Sequence, residues 1–282
     1  MKKIRYLILF LFCCAAGFFI FSLYETYFKK NTNFSDDIIY LKIPSNSTKS
    51  QLIDSLSNYL IDLETFEKAA LQKEYLLNIK AGRFEIKKDY NNNEIINSLR
   101  SKNIPVKVTF NNIETINKLA STISKKIEAD SLSIVKAFYN NEFLNDLNLD
   151  EDSVFSLFIP NTYEFFWNTD AIEFRERIVK EFDKFWNDNR IKKIKKINLN
   201  PVEVMVLASI VQKETPKVDE RPTISGVYLN RLRKNMKLQA DPTVVYTIKQ
   251  KEGFDKVIRR VLYKDLRIKS KYNTYYYKGL PP

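Results

Sequence analysis

Residues 204–246 read VMVLASIVQKETPKVDERPTISGVYLNRLRKNMKLQADPTVVY. The part from Val204 to Val211 contains no charged side chain, which predicts a helix that is buried nearly all round. Pro216 cannot continue a helix, so the helix is expected to end just before it. Glu214 therefore lies in the last turn, on the same helical stripe as the apolar residues before it.

A carboxyl group at this position has two interpretations. Partial desolvation would favour the neutral form of Glu214, which is the form that a general acid needs. The alternative is a surface glutamate paired with a lysine such as its neighbour Lys213. The residues alone leave both interpretations open.

The composition excludes several kinds of catalytic site. The chain has no histidine, and its two cysteines, Cys13 and Cys14, both lie in an N-terminal apolar run. Histidine-dependent triads and histidine or cysteine zinc sites are therefore excluded. Carboxylate chemistry, Ser-Lys chemistry and a carboxylate-bound metal remain, and we predict neither a cofactor nor a metal. The net charge of +12 favours an anionic neighbour such as a membrane or a cell-wall polymer.

The N-terminus predicts a membrane anchor. Residues 4–24 are mostly apolar and have about the length that a bilayer-spanning helix needs. The basic residues before them favour a cytoplasmic N-terminus with the bulk of the chain exported, so nucleic acid is not expected as a partner. A cleaved signal peptide ending near Ala15–Gly17 and a lipoprotein signal at Cys14 are the alternatives.

The remaining chain predicts an α+β fold in which strand, turn and helix recur loosely. The predicted strand and helix pairs are 38–43 with 49–60, 82–86 with 93–100, and 106–110 with 114–127. Residues 131–198 look mainly helical, with a loop at 159–163. Phe165, Phe166 and Trp167 after this loop suit either core packing or a sugar-binding surface.

Several motifs resemble the YceG-like, or MltG-type, endolytic murein transglycosylases. The matching segments are Leu207–Thr215, Glu220–Pro222, Tyr228–Leu232, Met236–Thr243, Tyr272–Tyr275 and Gly279–Pro282, with weaker matches at Ala81–Ile86 and Pro160–Glu164. The resemblance runs from the anchor to residue 282. It is without gaps across the block that contains Glu214.

The resemblance implies a single-pass protein of the inner (plasma) membrane whose periplasmic or extracellular domain cuts peptidoglycan strands internally. In this family a lytic transglycosylase breaks the bond between N-acetylmuramic acid and N-acetylglucosamine of nascent strands and leaves 1,6-anhydro ends. One glutamate serves as acid and then base, and the match assigns that role to Glu214. Partners implied are the glycan strands, the membrane and the cell-wall synthesis machinery.

Five further residues are expected to bind substrate: Asn230, Gln239, Asp241, Asn273 and Tyr275. Asp241, followed by Pro242, also has the pattern of a helix N-cap. Tyr275 begins three successive tyrosines that also suit a strand with alternating faces.

The chain departs from the family pattern at three places. Gln212 stands where the family often has glutamate, which leaves Glu214 as the candidate acid. Phe155 and Ser156 replace a Glu-Gly pair, and Asn161 replaces aspartate. Relatives also continue past the residues that match Gly279–Pro282, which predicts a C-terminally incomplete catalytic core.

The expected fold is a transmembrane helix, a small LysM-like α+β module and a helix-rich α+β catalytic domain. The predicted intervals are 1–3 cytoplasmic tail, 4–24 transmembrane anchor, 25–37 tether, 38–102 LysM-like module, 103–199 helix-rich intermediate region and 200–282 catalytic core. Two other functions stay open. One is a non-catalytic cell-wall-binding or scaffold protein of the elongation or division machinery, and the other is a two-carboxylate muramidase using Glu214 and Asp241.

Overall fold

The computed structural model describes residues 2–111 and 113–282. Met1, in the predicted tail, and Asn112, in the predicted turn after the strand at 106–110, lie outside the described residues. The chain divides into two compact units. Unit 1 comprises Met1–Thr109, Ile123–Asp130 and Thr162–Asp170, and unit 2 comprises Phe110–Thr122, Ser131–Asn161 and Ala171–Pro282.

The described residues form a helix-rich α+β fold. The helices are α1 Lys2–Tyr27, α2 Lys49–Ser57, α3 Leu63–Gln72, α4 Asn92–Arg100, α5 Ile116–Ile123, α6 Ser131–Phe138, α7 Asn141–Asp146, α8 Ala171–Phe185, α9 Asp188–Lys195, α10 Pro201–Glu214, α11 Arg221–Arg233 and α12 Asp241–Glu252. The strands are β1 Ile38–Ile43, β2 Gly82–Lys87, β3 Val106–Phe110 and β4 Asn161–Phe165. Short 3₁₀ helices occupy Tyr75–Leu77, Val154–Leu157 and Asp265–Arg267.

The N-terminal apolar run forms a helix, as predicted. By length and composition, residues 3–27 are able to cross a membrane, and their window of highest hydropathy is not buried in the protein. A signal sequence has the same properties, so the alternatives for this segment stay open. The polar residues that follow are not a free tether. Asn31 is buried, and its side chain donates to Asp62 O at 2.7 Å and to Asn92 Oδ1 at 2.6 Å.

Unit 1 is built on the antiparallel pair of β1 and β2. The register places Leu41 opposite Phe84 and Ile39 opposite Ile86. Leu41, Phe84 and Ile86 are buried, because alternate side chains of each strand point to the core face. Helices α2, α3 and α4 contribute the other buried residues of this core, including Phe66.

Local capping sequences explain where two of these helices begin. Thr48 and Gln51 form a capping box at α2, and Asn91 and Glu94 form one at α4. In each box two backbone N–H groups without helical partners receive side-chain acceptors. The predicted strand-turn-helix units at 38–60 and 82–100 are confirmed in type, although α2 ends at Ser57. The third is shorter than predicted, because α5 covers only Ile116–Ile123.

The loop predicted at 159–163 is partly wrong, because Asn161–Phe165 forms β4, which pairs with β3. The three predicted aromatic residues at the end of β4 and just after it lie in different environments. Phe165 is buried, whereas Phe166 is 48% exposed. Trp167 is half-buried, and the Lys42 ammonium lies 5.6 Å from the centre of its ring.

Unit 2 contains an aromatic core and a group of three packed helices. The buried ring of Phe138 contacts the rings of Phe143, Phe158 and Phe174 at centroid distances of 4.7–6.0 Å. Helix α10 packs against α11 and α12. The strand considered for Tyr275–Tyr277 is wrong, since these residues lie in a turn region.

Candidate active site

Helix α10 begins at a capping box and ends where its sequence predicts. The Asn200 side chain accepts from Glu203 N at 2.9 Å, and the Glu203 carboxylate accepts from Asn200 N at 2.7 Å. Pro201 fills the first turn, where its missing N–H is not needed. The helix ends at Glu214, two residues before Pro216.

The prediction that α10 is buried nearly all round is wrong. Leu207, Ile210 and Val211 are buried in a core that also contains Tyr228 and Leu238. The other side of the helix is open: Ala208 and Ser209 are exposed, and Met205 is half-buried. The absence of charge in this run therefore has two causes, since one face packs in the core and the other forms the wall of a cleft.

This cleft lies within unit 2 and has a volume of about 1290 Å³. Helix α10 provides Met205, Ala208, Ser209 and Glu214 to its wall, and α12 provides Asp241, Val245, Tyr246 and Lys249. Pockets for small molecules typically have volumes of about 300–1,000 Å³, so this cleft is larger than most of them. The cleft therefore has room for a segment of a polymer.

Glu214 lines the cleft, but its side chain is exposed rather than partly desolvated. Its angular position on the stripe is as predicted, because it follows Leu207 by two turns and Val211 by three residues. However, the buried apolar residues of α10 end one turn before Glu214, and the last turn of the helix extends into the open cleft. The prediction of a dry environment for Glu214 in the free protein is therefore wrong.

Tyr228 of α11 contacts the Glu214 carboxylate. The Tyr228 hydroxyl donates to Glu214 Oε2 at 3.2 Å, while the tyrosine ring is buried in the helical core. Burial raises the pKa of Tyr228, and the charge of Glu214 raises it further, so the hydroxyl stays a donor at neutral pH. Among the described residues, Glu214 Oε1 has no hydrogen-bond partner, which leaves it free to reach a bound molecule.

Asp241 and Tyr275 form a second carboxylate–tyrosine pair. The Tyr275 hydroxyl donates to Asp241 Oδ1 at 2.7 Å. Burial and this hydrogen bond raise the pKa of Tyr275 to about 12. Asp241 is the first residue of α12 and Ala240 occupies the N-cap position, so the predicted capping role of Asp241 is wrong. Asp241 also lines the cleft.

Sequence reasoning missed Glu114, a half-buried carboxylate in the same cleft. Its two oxygens accept from Lys213 Nζ at 2.6 Å and from Lys249 Nζ at 2.8 Å. Burial alone would raise the pKa of Glu114, but the hydrogen bonds from the two lysines outweigh that effect and lower it. The lysine expected beside Glu214 is thus paired with Glu114. No local pattern predicted this contact, because Glu114 and Lys213 are 99 residues apart.

Of the five predicted binding residues, only Asp241 lies in the described cleft wall; Tyr275, Asn230, Gln239 and Asn273 lie outside it. Asn230 is exposed on α11, and Gln239 is exposed with a left-handed φ of 51°. Asn273 is fully buried, where its amide donates to Leu266 O and Ile268 O and accepts from Tyr275 N. This position makes Asn273 a residue that holds the loop before Tyr275, and its contact with substrate stays an untested prediction.

Glu220 stabilises the turn between α10 and α11. Its carboxylate accepts from Thr215 Oγ1 at 2.8 Å and from Lys217 Nζ at 2.9 Å, and these two contacts lower the pKa of Glu220. The residue stands at the N-cap position of α11 without making a capping hydrogen bond. Its chemistry is that of an exposed ion pair.

Comparison with known proteins identifies the family. The model of the YceG-like family matches residues 41–282, which include β2, the cleft and Glu214. The chain belongs to the YceG-like family. The YceG-like fold is also found in a solved structure of a YceG-like protein from Listeria monocytogenes, with a TM-score of 0.55 and 25% identity. That alignment covers 88% of this chain and 85% of the Listeria chain.

Curated relatives in this family carry an enzymatic name. The endolytic murein transglycosylase of Bacillus subtilis (strain 168) is 36% identical over 126 residues, which are 44% of this chain and 32% of that protein. The endolytic murein transglycosylase of Streptococcus pneumoniae serotype 2 (strain D39 / NCTC 7466) is 37% identical over 89 residues, 32% of this chain and 16% of that protein. The aligned region thus spans about a third or less of each curated relative.

Proposed function

We propose that this protein is a lytic transglycosylase that cuts peptidoglycan glycan strands internally. The observation that carries the proposal is Glu214, an oriented carboxylate on the wall of a polymer-sized cleft. The names of the curated relatives support the same reaction. We propose cleavage between N-acetylmuramic acid and N-acetylglucosamine, with 1,6-anhydro ends as the product.

In the proposed reaction one residue performs both proton transfers. Neutral Glu214 gives its proton to the glycosidic oxygen as the bond to the muramic acid carbon breaks. The ionised Glu214 then takes a proton from the 6-hydroxyl of that sugar, whose oxygen closes the anhydro ring. Because the nucleophile belongs to the substrate, no second catalytic carboxylate is needed. A strand in the cleft would exclude water from Glu214, which strengthens electrostatic interactions there.

Tyr228 is expected to act as a positioning residue for Glu214. The Tyr228→Phe variant keeps the buried ring but removes the hydroxyl that contacts Glu214 Oε2. One hydrogen bond is worth about 1 kcal/mol, so we expect the initial rate of glycan cleavage to fall about fivefold. Thermal unfolding should change little. An unchanged rate would show that Tyr228 does not orient the carboxylate.

The proposed substrate contacts divide into two groups. Asp241 and Tyr275 form one pair, and Asp241 shares the cleft with Glu214, so we propose that they contact the strand directly. Asn230 and Gln239 have exposed side chains and are proposed as contacts beyond the cleft. For Asn273 the buried position favours an indirect role through the loop that carries Tyr275.

We also propose that residues 38–102 form a LysM-like module that binds cell-wall glycan. Two antiparallel strands, β1 and β2, with α2 and α3 between them in sequence support this proposal. The proposed boundaries of the following regions are 103–199 for a helix-rich intermediate region and 200–282 for the catalytic core. The cell-wall synthesis machinery is a proposed partner on the basis of function alone.

The ends that form in peptidoglycan distinguish the two other functions from a transglycosylase. Asp241 lies in the same cleft as Glu214, which keeps a two-carboxylate hydrolase as the second candidate. Mass spectrometry of digested peptidoglycan distinguishes them. Anhydro ends support the transglycosylase, new reducing ends support the hydrolase, and no new ends support a non-catalytic wall-binding protein.

The proposed location is based on α1. We propose that residues 4–24 are retained as a single-pass anchor in the inner (plasma) membrane, with the N-terminus cytoplasmic and the remainder outside. The expressed protein should then stay with membranes at full-length mass after washing with high salt and at alkaline pH. A soluble product that begins near Phe18 would contradict the anchor and favour a signal peptide.

A further inference from the structure

The cleft of unit 2 has an aromatic wall that the proposed chemistry at Glu214 does not use. Tyr246 of α12 lies 4.9 Å from the ring of Tyr272 and 5.4 Å from the ring of Phe254, centre to centre. All three rings line the cleft, and the rings of Tyr246 and Phe254 are half-buried. Tyr272 is buried. A core cluster would be closed to solvent, whereas the rings of Tyr246 and Phe254 border an open volume.

Hydroxyl groups stand beside this wall with unused hydrogen-bonding capacity. Within residues 2–111 and 113–282, the hydroxyls of Tyr139 and Tyr246 make no hydrogen bond, and both residues line the cleft. Burial raises the pKa of each hydroxyl, and nearby carboxylates raise it further, so both remain donors. Tyr272 differs, because its hydroxyl donates to Asp152, which also pairs with Lys271.

Rings bordered by hydroxyl donors suit a particular kind of ligand. A pyranose has a face of C–H groups that packs on an aromatic ring and a rim of hydroxyls that accept hydrogen bonds. The cleft lining is mixed in charge, with Glu151 and Asp152 beside Lys249 and Arg260, so no excess of one sign selects a charged ligand. We propose that Tyr246, with Tyr139 and the rings of Tyr272 and Phe254, forms a second sugar-binding subsite for the glycan strand.

The position of this subsite fits a polymer that also reaches Glu214. Asp241 and Tyr246 are separated by five residues of α12, or about 7.5 Å along the helix axis. A glycan strand with one sugar at Asp241, near Glu214, would therefore place a different sugar at Tyr246. The inference rests on the proposed glycan-cleaving function, because it assigns another part of the same cleft to the substrate.

The test measures binding without cleavage. The full chain, solubilised in detergent and carrying Glu214→Gln, is titrated with peptidoglycan glycan strands freed of their peptide stems. Adding Tyr246→Leu should weaken binding about tenfold, since it removes both the ring and the hydroxyl. Tyr246→Phe keeps the ring and should weaken binding about threefold. Tyr263→Leu is the matched control, because Tyr263 is 89% exposed and lies outside the cleft wall.

Each outcome decides the proposal. Equal affinity of the Tyr246→Leu and Tyr263→Leu chains would overturn the subsite. If circular dichroism shows that Tyr246→Leu does not fold, an unchanged affinity in Tyr246→Phe overturns it instead. Tyr246-dependent binding by a protein whose wild type makes no new glycan ends would support the subsite and reject the cleaving function. If the wild type cleaves strands and binding does not depend on Tyr246, the subsite is rejected and the cleaving function is supported.

Discussion

Replacement of Glu214 by glutamine is expected to abolish the formation of anhydro ends. Glutamine has nearly the same shape and keeps a hydrogen-bond acceptor for Tyr228, but it cannot give and retake a proton. A general acid or base contributes about 10²–10⁴-fold to a rate, and one group performs both steps here. We expect a loss of at least about 10²-fold, measured by mass spectrometry of peptidoglycan digests.

The control for this variant is Glu252→Gln. Glu252 lies in the last turn of α12, pairs with Lys256 and is not part of the cleft wall. It should retain the wild-type rate, because an exposed ion pair has little effect on the rest of the fold. Wild-type activity in Glu214→Gln would reject Glu214 as the acid. Loss of the folded state in Glu214→Gln would mean that the carboxylate is structural.

The second large effect is expected in the core of unit 1. Phe66 of α3 is fully buried in the cluster formed by β1, β2 and the helices around them. The Phe66→Ala variant leaves a cavity that a close-packed core fills only in part. The free energy of unfolding should fall by about 3–5 kcal/mol. Urea-induced unfolding of the solubilised chain measures this change.

Phe166→Ala is the matched control within unit 1. It makes the same chemical change at a side chain that is 48% exposed, so little apolar contact is lost. Its effect on the free energy of unfolding should stay within about 0.5–1 kcal/mol. If the free energy of unfolding fell equally in the two variants, the burial of Phe66 would not stabilise the core as expected.

Local signals in the sequence predicted where several elements lie. Pro216 predicted the end of α10, and the capping box of Asn200 and Glu203 explains its start. The mostly apolar run at 4–24 predicted α1. Such signals act between residues a few positions apart, so they need no knowledge of the rest of the chain.

Burial was less predictable. The uncharged run of α10 indicated burial all round, yet Ala208 and Ser209 face an open cleft. An apolar cleft wall and an apolar core face have the same sequence pattern, because both exclude charge. The exposed position of Glu214 has a similar explanation. The sequence pattern gives the angle of Glu214 around the helix, but it does not show at which turn the surrounding core residues end.

The sequence was sufficient to place Glu214 at the end of α10 and to show the family motifs around it. Only the tertiary structure brought Tyr228 to its carboxylate, Glu114 to Lys213 and Asp152 to Tyr272. The last two pairs are separated by 99 and 120 residues along the chain. Contacts of this kind depend on how distant elements pack, and the periodicity of a single helix or strand carries no information about that packing.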